Sequence, residues 1–173
     1  MSSDLKKMYE SYLSIKDAFI VVQRSEEKLL LKTKYEGLTL DEKKRENKKA
    51  LMHSEELIML SMFAIFERKI RNILIDNIQN IKMTDAEELQ NRFILIVENK
   101  LEFLEIYKLL KMFDFLPGVE HSRIKQIAEY RNWLAHGKNQ NKLPSNKALT
   151  ARVVLDDLDN YIRRLEAVLV SSQ

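Results

Sequence analysis

Apolar residues recur at intervals of three and four along most of the chain, which places them on one face of an α-helix. The first run, Leu5, Met8, Tyr12, Ile15, Phe19 and Val22, predicts a helix from about Ser3 to Tyr35 that closes near Gly37. The stretch from Asp41 to Lys49 is densely charged and holds no apolar residue. It reads either as a solvated extension of the second helix or as a frayed linker. The second helix runs from about Ala50 to Asn80 and is apolar nearly all round between Leu57 and Phe66, a sign of burial on several sides. A third helix begins at Thr84, where Thr84 and Glu87 have capping-box spacing and Asp85 adds a favourable first-turn charge. It continues to about Phe115 and is stopped by Pro117 and Gly118. The fourth runs from about Val119 to His136, with Gly137 placed to cap it. After a polar loop from Lys138 to Lys147, a fifth helix extends from about Ala148 to Val170. Its stripe of Val154, Leu158, Ile162, Leu165 and Leu169 should face inward.

The expected fold is therefore all-α, an up-and-down helical bundle of about five helices. Only three glycines and two prolines occur, too few for the turns of a sheet protein. With 173 residues and 45% hydrophobic content, the chain suits one core and one domain, residues 1–173. Cysteine is absent, which excludes disulfides, thiolate metal sites and cysteine nucleophiles. A chain without disulfides suits a reducing compartment, so a cytoplasmic location is expected. No segment reads as a secretory signal, and the apolar runs are too short and too close to charges to span a bilayer, so no membrane association is expected. The net charge of +3 is small and does not by itself announce a nucleic-acid binder.

Two helices break their own pattern. On the fourth, Ile124, Ile127, Ala128, Leu134 and Ala135 fall on one side, and Arg131 falls in the middle of that stripe. An arginine there must snorkel out, find a carboxylate or open into a cleft, because an unpaired buried cation costs several kcal/mol. Asn132 and His136, four apart, share the bordering face, so the three side chains can converge at the helix end. On the second helix, Glu67 lies among Leu60, Phe63, Leu74 and Ile78. A carboxylate on one apolar face and a cation on another should meet, although Arg71, one turn from Glu67, competes. Taken alone, Arg131 also fits a core ion pair that fixes helix packing. His136 taken alone fits a C-terminal histidine favoured by the helix dipole.

The segment Tyr130-Arg131-Asn132-Trp133-Leu134-Ala135-His136-Gly137 resembles the defining motif of the HEPN superfamily: an arginine, usually a polar neighbour, and a histidine four to six residues on. The position late in an α-helical chain, at a helix end with one helix following, also matches. The Phe66-Glu67 pair resembles a feature of several HEPN subfamilies. The resemblance covers about residues 51–170, leaving the first helix and the charged segment of about 37–50 without a motif. In HEPN toxins paired with a nucleotidyltransferase, a tyrosine stands where this chain has Lys138, so modification there is not expected.

The resemblance implies a metal-independent endoribonuclease without a cofactor, acting as a homodimer in which two motifs meet across a two-fold interface. It further implies a toxin or phage-defence role, with an antitoxin or regulatory protein as a possible partner. The alternative is a non-catalytic module that binds RNA, a nucleotide or a protein. The residue types suit the first reading. An imidazole exchanges protons near neutral pH, so His136 can serve as general base or acid. A guanidinium, as on Arg131, can bridge phosphate oxygens, and Asn132 can orient the imidazole or hold the phosphate. Arg123, Lys125, Lys138, Lys142 and Lys147 surround the motif against only Glu129, a patch that can track an RNA backbone. Trp133 and Tyr130 can stack on unpaired bases, or else pack within the bundle. His53 and His121 have no metal-ligand spacing and read as surface residues. No metal site is expected.

Overall fold

The computed structural model describes residues 3–25, 27–79, 97, 100–101, 104–113, 121–138, 144 and 149–171. Among them the chain is all-α, with no strand. Its elements are α1 (Ser3–Arg24), a 3₁₀ turn (Glu27–Leu30), α2 (Leu40–Gln79), α3 (Ile106–Lys111), α4 (His121–Ala135) and α5 (Ala151–Ser171). The capping box at Thr84 and Glu87, Asp85, and the Pro117–Gly118 stop lie outside the described residues. No helix among the described residues is long and apolar enough to cross a membrane.

α2 is the axis of the molecule. Its 40 residues make a rod of about 60 Å, against which α1, α3, α4 and α5 all pack. α1 runs antiparallel to it: Asp4 pairs with Arg68 at 3.9 Å, and farther along the Asn47 amide donates to the Phe19 carbonyl at 3.2 Å. The core gathers Met62, Phe63, Phe66 and Ile70 from α2 with Leu5, Leu109, Leu110, Ile124, Ala128, Leu155 and Leu158. The α5 stripe faces inward as expected, Val154, Leu158, Ile162 and Leu165 being buried and Leu169 partly so. α2 is less enclosed than its composition implies, for Leu57 remains 63% exposed.

Helix one ends eleven residues before the expected Tyr35. Leu30 and Tyr35 are both buried. On a straight helix residues five apart diverge by about 140°, so the two could not both face one partner. The chain instead turns: the Ser25 hydroxyl donates to the Val21 carbonyl at 2.8 Å, and Lys32 and Gly37 take positive φ values of 62° and 73°.

The charged segment is the first part of α2, not a linker, and it is solvated except at Lys43 and Asn47, which are buried. It starts at a capping box: the Glu42 N–H donates to Thr39 Oγ1 at 3.3 Å, and the Thr39 N–H donates to Glu42 Oε2 at 2.8 Å. Thr39→Ala should lower stability by about 1 kcal/mol, read as a lower urea midpoint with unchanged slope. An unchanged midpoint would show that the first turn of α2 frays without consequence.

The third helix does not run unbroken to Phe115. Leu104 and Glu105 leave helical geometry, and Glu105, with φ −61° and ψ 146°, starts α3. No glycine or proline marks this break. It leaves carbonyls open that Arg71 fills, donating to the Leu101 oxygen at 3.2 Å and the Leu104 oxygen at 3.0 Å. Arg71 is thereby diverted from Glu67.

Candidate functional site

α4 stays regular through Ala135 and closes in a Schellman motif. The Lys138 N–H donates to the Trp133 carbonyl at 2.9 Å, and the Gly137 N–H to the Leu134 carbonyl at 3.2 Å. Gly137 has φ 76°, with open space where a Cβ would stand, so conformation and not crowding favours glycine there. His136 is the C-cap residue and is exposed. Lys138, itself at φ 59°, reaches Glu56 of α2 at 2.7 Å, which ties the turn to the axis of the bundle.

Arg131 leaves the middle of the α4 core stripe and meets Glu67, with Nη2 3.3 Å from Glu67 Oε2. Its Nη1 donates to Asn132 Oδ1 at 2.9 Å, and its guanidinium carbon lies 5.5 Å from the centre of the Phe63 ring. The Arg131 side chain is 34% exposed and that of Glu67 13%. The pair is thus neither sealed nor free, and the guanidinium keeps an open side. Tyr107, from α3, adjoins the amide. Burial and the Glu129 carboxylate push its hydroxyl up, while a hydrogen bond from Asn132 and the charge of Arg131 oppose them.

Arg131, Asn132 and Glu67 therefore come together, and His136 stands apart. On an unbroken helix, residues 131 and 136 are about 140° apart, and Asn132 lies about 40° from His136. The helix end does not tighten to close that gap, since the His136 N–H still donates to the Asn132 carbonyl at 3.0 Å. Among the described residues, the His136 imidazole makes no hydrogen bond or ion pair, so it is open to solvent or to a second molecule.

The expected basic patch is largely matched by carboxylates from other helices. Arg123 donates from Nε to Asp157 at 2.7 Å and from Nη1 to Gln126 at 3.2 Å. Lys138 is held by Glu56. Lys125 is half-buried and makes no ion pair among the described residues. Lys142 and Lys147 lie outside the described residues. Trp133 is half-buried against Tyr130, their rings 5.7 Å apart, so its packing role is realised. Of the two histidines read as surface residues, His53 is exposed, but His121 is half-buried, with Nδ1 3.0 Å from the Tyr161 hydroxyl.

Residues not singled out from the sequence complete the surroundings: Tyr107, Glu55, Glu56 and Asp157. Glu55 accepts the Ala151 N–H at 2.9 Å, satisfying the first turn of α5 across 96 positions of sequence. It also bonds Tyr12. Burial, then the charge and hydrogen bond of Glu55, push the Tyr12 hydroxyl up to about 12. The unfolded phenol titrates near 10, so this contribution is complete below about pH 10 and is lost as pH rises towards 12. Stability of the wild type should fall more steeply over that window than stability of Tyr12→Phe; parallel curves would contradict the Tyr12–Glu55 link.

Comparison of the chain with family models, curated proteins and solved structures finds no match. Among the described residues, no three His, Asp or Glu side chains converge as a metal site.

Proposed function

We propose that this chain is a HEPN-like endoribonuclease that cleaves RNA without a metal ion, with Arg131, Asn132 and His136 at its site and Glu67 behind them. The observation that carries the reading is the Arg131 side chain, about a third of which is exposed. It is drawn off a core face, oriented by Glu67 and Asn132 and left open on one side, one turn from an exposed histidine on a glycine-capped helix end. A guanidinium gripped at two points loses little rotamer freedom when a phosphate arrives.

In the proposed reaction the ribose 2′-hydroxyl attacks its adjacent phosphorus and the bond to the 5′-oxygen breaks. One group removes the 2′-proton, and a second protonates the departing oxygen. The products carry a 2′,3′-cyclic phosphate and a 5′-hydroxyl. His136 provides one proton-transfer group. Arg131 faces the charge that builds on the phosphoryl oxygens, and Asn132 holds its fork in register. The second proton-transfer group is His136 of a second copy, so the active species is a two-fold dimer with the two helix ends facing each other. The exposure of His136 and its lack of partners among the described residues support that arrangement. A toxin or phage-defence role, restrained by an antitoxin or regulatory protein, fits such an activity.

One observation favours a second reading, a non-catalytic module binding RNA, a nucleotide or a protein. Arg131 is already bonded to Glu67 and Asn132, and His136 does not reach it, as in a residue pair kept for packing. Incubating mixed RNA with the full chain and excess chelator separates the two. The nuclease reading predicts new 5′-hydroxyl ends opposite cyclic phosphates. Light scattering that shows a monomer at high micromolar concentration would count against the dimeric site.

A further inference from the structure

α1 and α2 form a hairpin that projects beyond the ends of the helices packed against it. α4 runs antiparallel to α2 and α5 parallel to it, as the Arg131–Glu67 and Lys69–Glu166 pairs require. α4 closes level with Glu56, which Lys138 reaches at 2.7 Å, and α5 starts level with Glu55, which accepts the Ala151 N–H at 2.9 Å. Residues 40–54 of α2 therefore extend past both helix ends by about 22 Å, with α1 alongside where Asn47 bonds the Phe19 carbonyl. The connection at the tip is held from within by the buried Leu30 and Tyr35. Three leucines of the same end stay outside: Leu29 is 68% exposed, Leu31 57% and Leu40 58%. This end is also basic. Residues 30–49 hold seven Lys or Arg and four Asp or Glu, an excess equal to the net charge of +3 of the whole chain. The carboxylates of Glu36, Glu42 and Glu46 are engaged locally, by the Lys32 N–H, by Thr39 and by Lys49. Lys32, Lys44 and Lys48 are exposed and make no ion pair among the described residues. Leu40, Lys44 and Lys48, four apart, follow one another along one flank of α2.

We propose that the tip of the α1–α2 hairpin docks on an anionic lipid surface, with Leu29, Leu31 and Leu40 entering the headgroup layer and Lys32, Lys44 and Lys48 facing lipid phosphates. Lying on a bilayer needs no spanning run, only apolar side chains among cations, so this contact departs from the expectation of no membrane association. Charge and exposed leucine coincide at one projecting end, and an anionic bilayer is complementary to both. An RNA backbone would leave the leucines without a partner, and Tyr35, the aromatic ring of the connection, is buried and cannot stack on a base. A protein groove that takes a helix reads one helical stripe of anchors. These three leucines instead come from a 3₁₀ turn, the bend after it and the first turn of α2.

The test is co-sedimentation of the full chain at low salt with vesicles of phosphatidylcholine alone and of phosphatidylcholine with an equal part of phosphatidylglycerol. The chain should pellet with the anionic vesicles and stay in solution with the neutral ones. Lys44→Gln and Lys48→Gln should each weaken binding about fivefold. Leu29→Ser combined with Leu31→Ser should weaken it about tenfold or more, because buried apolar area adds to the charge attraction. Lys7→Gln, the same charge change at the far end of α1, should leave it unchanged. Melting curves verify that each variant is folded. The chain has no cysteine, so Leu31→Cys offers a single labelling position, and an environment-sensitive dye there should shift to the blue with anionic vesicles. No pelleting, equal pelleting with neutral vesicles, or binding undiminished in the folded leucine variant overturns the proposal, as does an equal loss in Lys7→Gln. Because no cleavage is read, the result is independent of any ribonuclease activity.

Discussion

Arg131→Ala is expected to lower the stability of the bundle by roughly 1–3 kcal/mol, less than the loss from a fully buried pair because a third of the Arg131 side chain reaches water. Most of that loss arises from what is left behind. Glu67 is 13% exposed and would face the core without its cation, since Arg71 is bonded to backbone carbonyls on the way into α3. Replacing Glu67 by glutamine in the Arg131→Ala background should therefore recover part of the loss, because a stranded amide costs less than a stranded carboxylate. Arg131→Lys should be milder for stability. A single ammonium can face Glu67 but cannot also reproduce the fork that reaches Asn132. Urea unfolding of the four corners of the Arg131/Glu67 cycle measures the coupling directly. Strict additivity would mean that the two side chains stabilise the fold independently, and the pair would lose its place at the centre of the site.

That pair was legible in the sequence because two misfit charges on two apolar faces of a one-core chain have few partners to choose from. The Gly137 cap and the α5 stripe were legible for similar local reasons: one special residue at a helix end, and one unbroken period. The start of α2 was also written locally, in Thr39-Leu40-Asp41-Glu42, but the charge run behind it left a frayed linker open as the alternative. The break before α3 was not legible, because the carbonyls it frees are satisfied by Arg71 from 30 and 33 positions away. The early end of α1 was set by the joint burial of Leu30 and Tyr35, again a tertiary demand with no glycine or proline at the point of departure.

The candidate site divides along the same line. Which residues carry chemistry could be read from types and spacing. The electrostatic setting could not, since the charges near Arg123 and Lys138 were weighed only against their sequence neighbour Glu129. Folding brings Asp157 and Glu56 to them from α5 and α2. Two cations of that basic stretch, Arg123 and Lys138, are thus held in ion pairs in space. An RNA backbone crossing this face would compete with carboxylates or use the open side of Arg131 and Lys125, which has no ion pair among the described residues. With so few cations left to meet phosphates, binding should tighten only gently as salt is lowered.

The largest expected effect is on cleavage. His136 is exposed at the C-cap, with its backbone fixed by the Schellman closure and the Lys138–Glu56 tie, so removing its imidazole should leave the fold intact. A general acid–base group contributes roughly 10²–10⁴-fold in rate, and in a dimer that shares two such groups a single substitution removes both. Arg131→Lys should fail in the same assay while retaining its fold, because a point charge does not bridge phosphate oxygens. The most direct measurement is the rate of RNA cleavage in excess chelator by wild type and by His136→Ala, each verified as folded by its melting curve. The account predicts cyclic-phosphate products from the wild type and a loss of at least about a hundredfold in the variant. Undiminished cleavage by well-folded His136→Ala protein would contradict it.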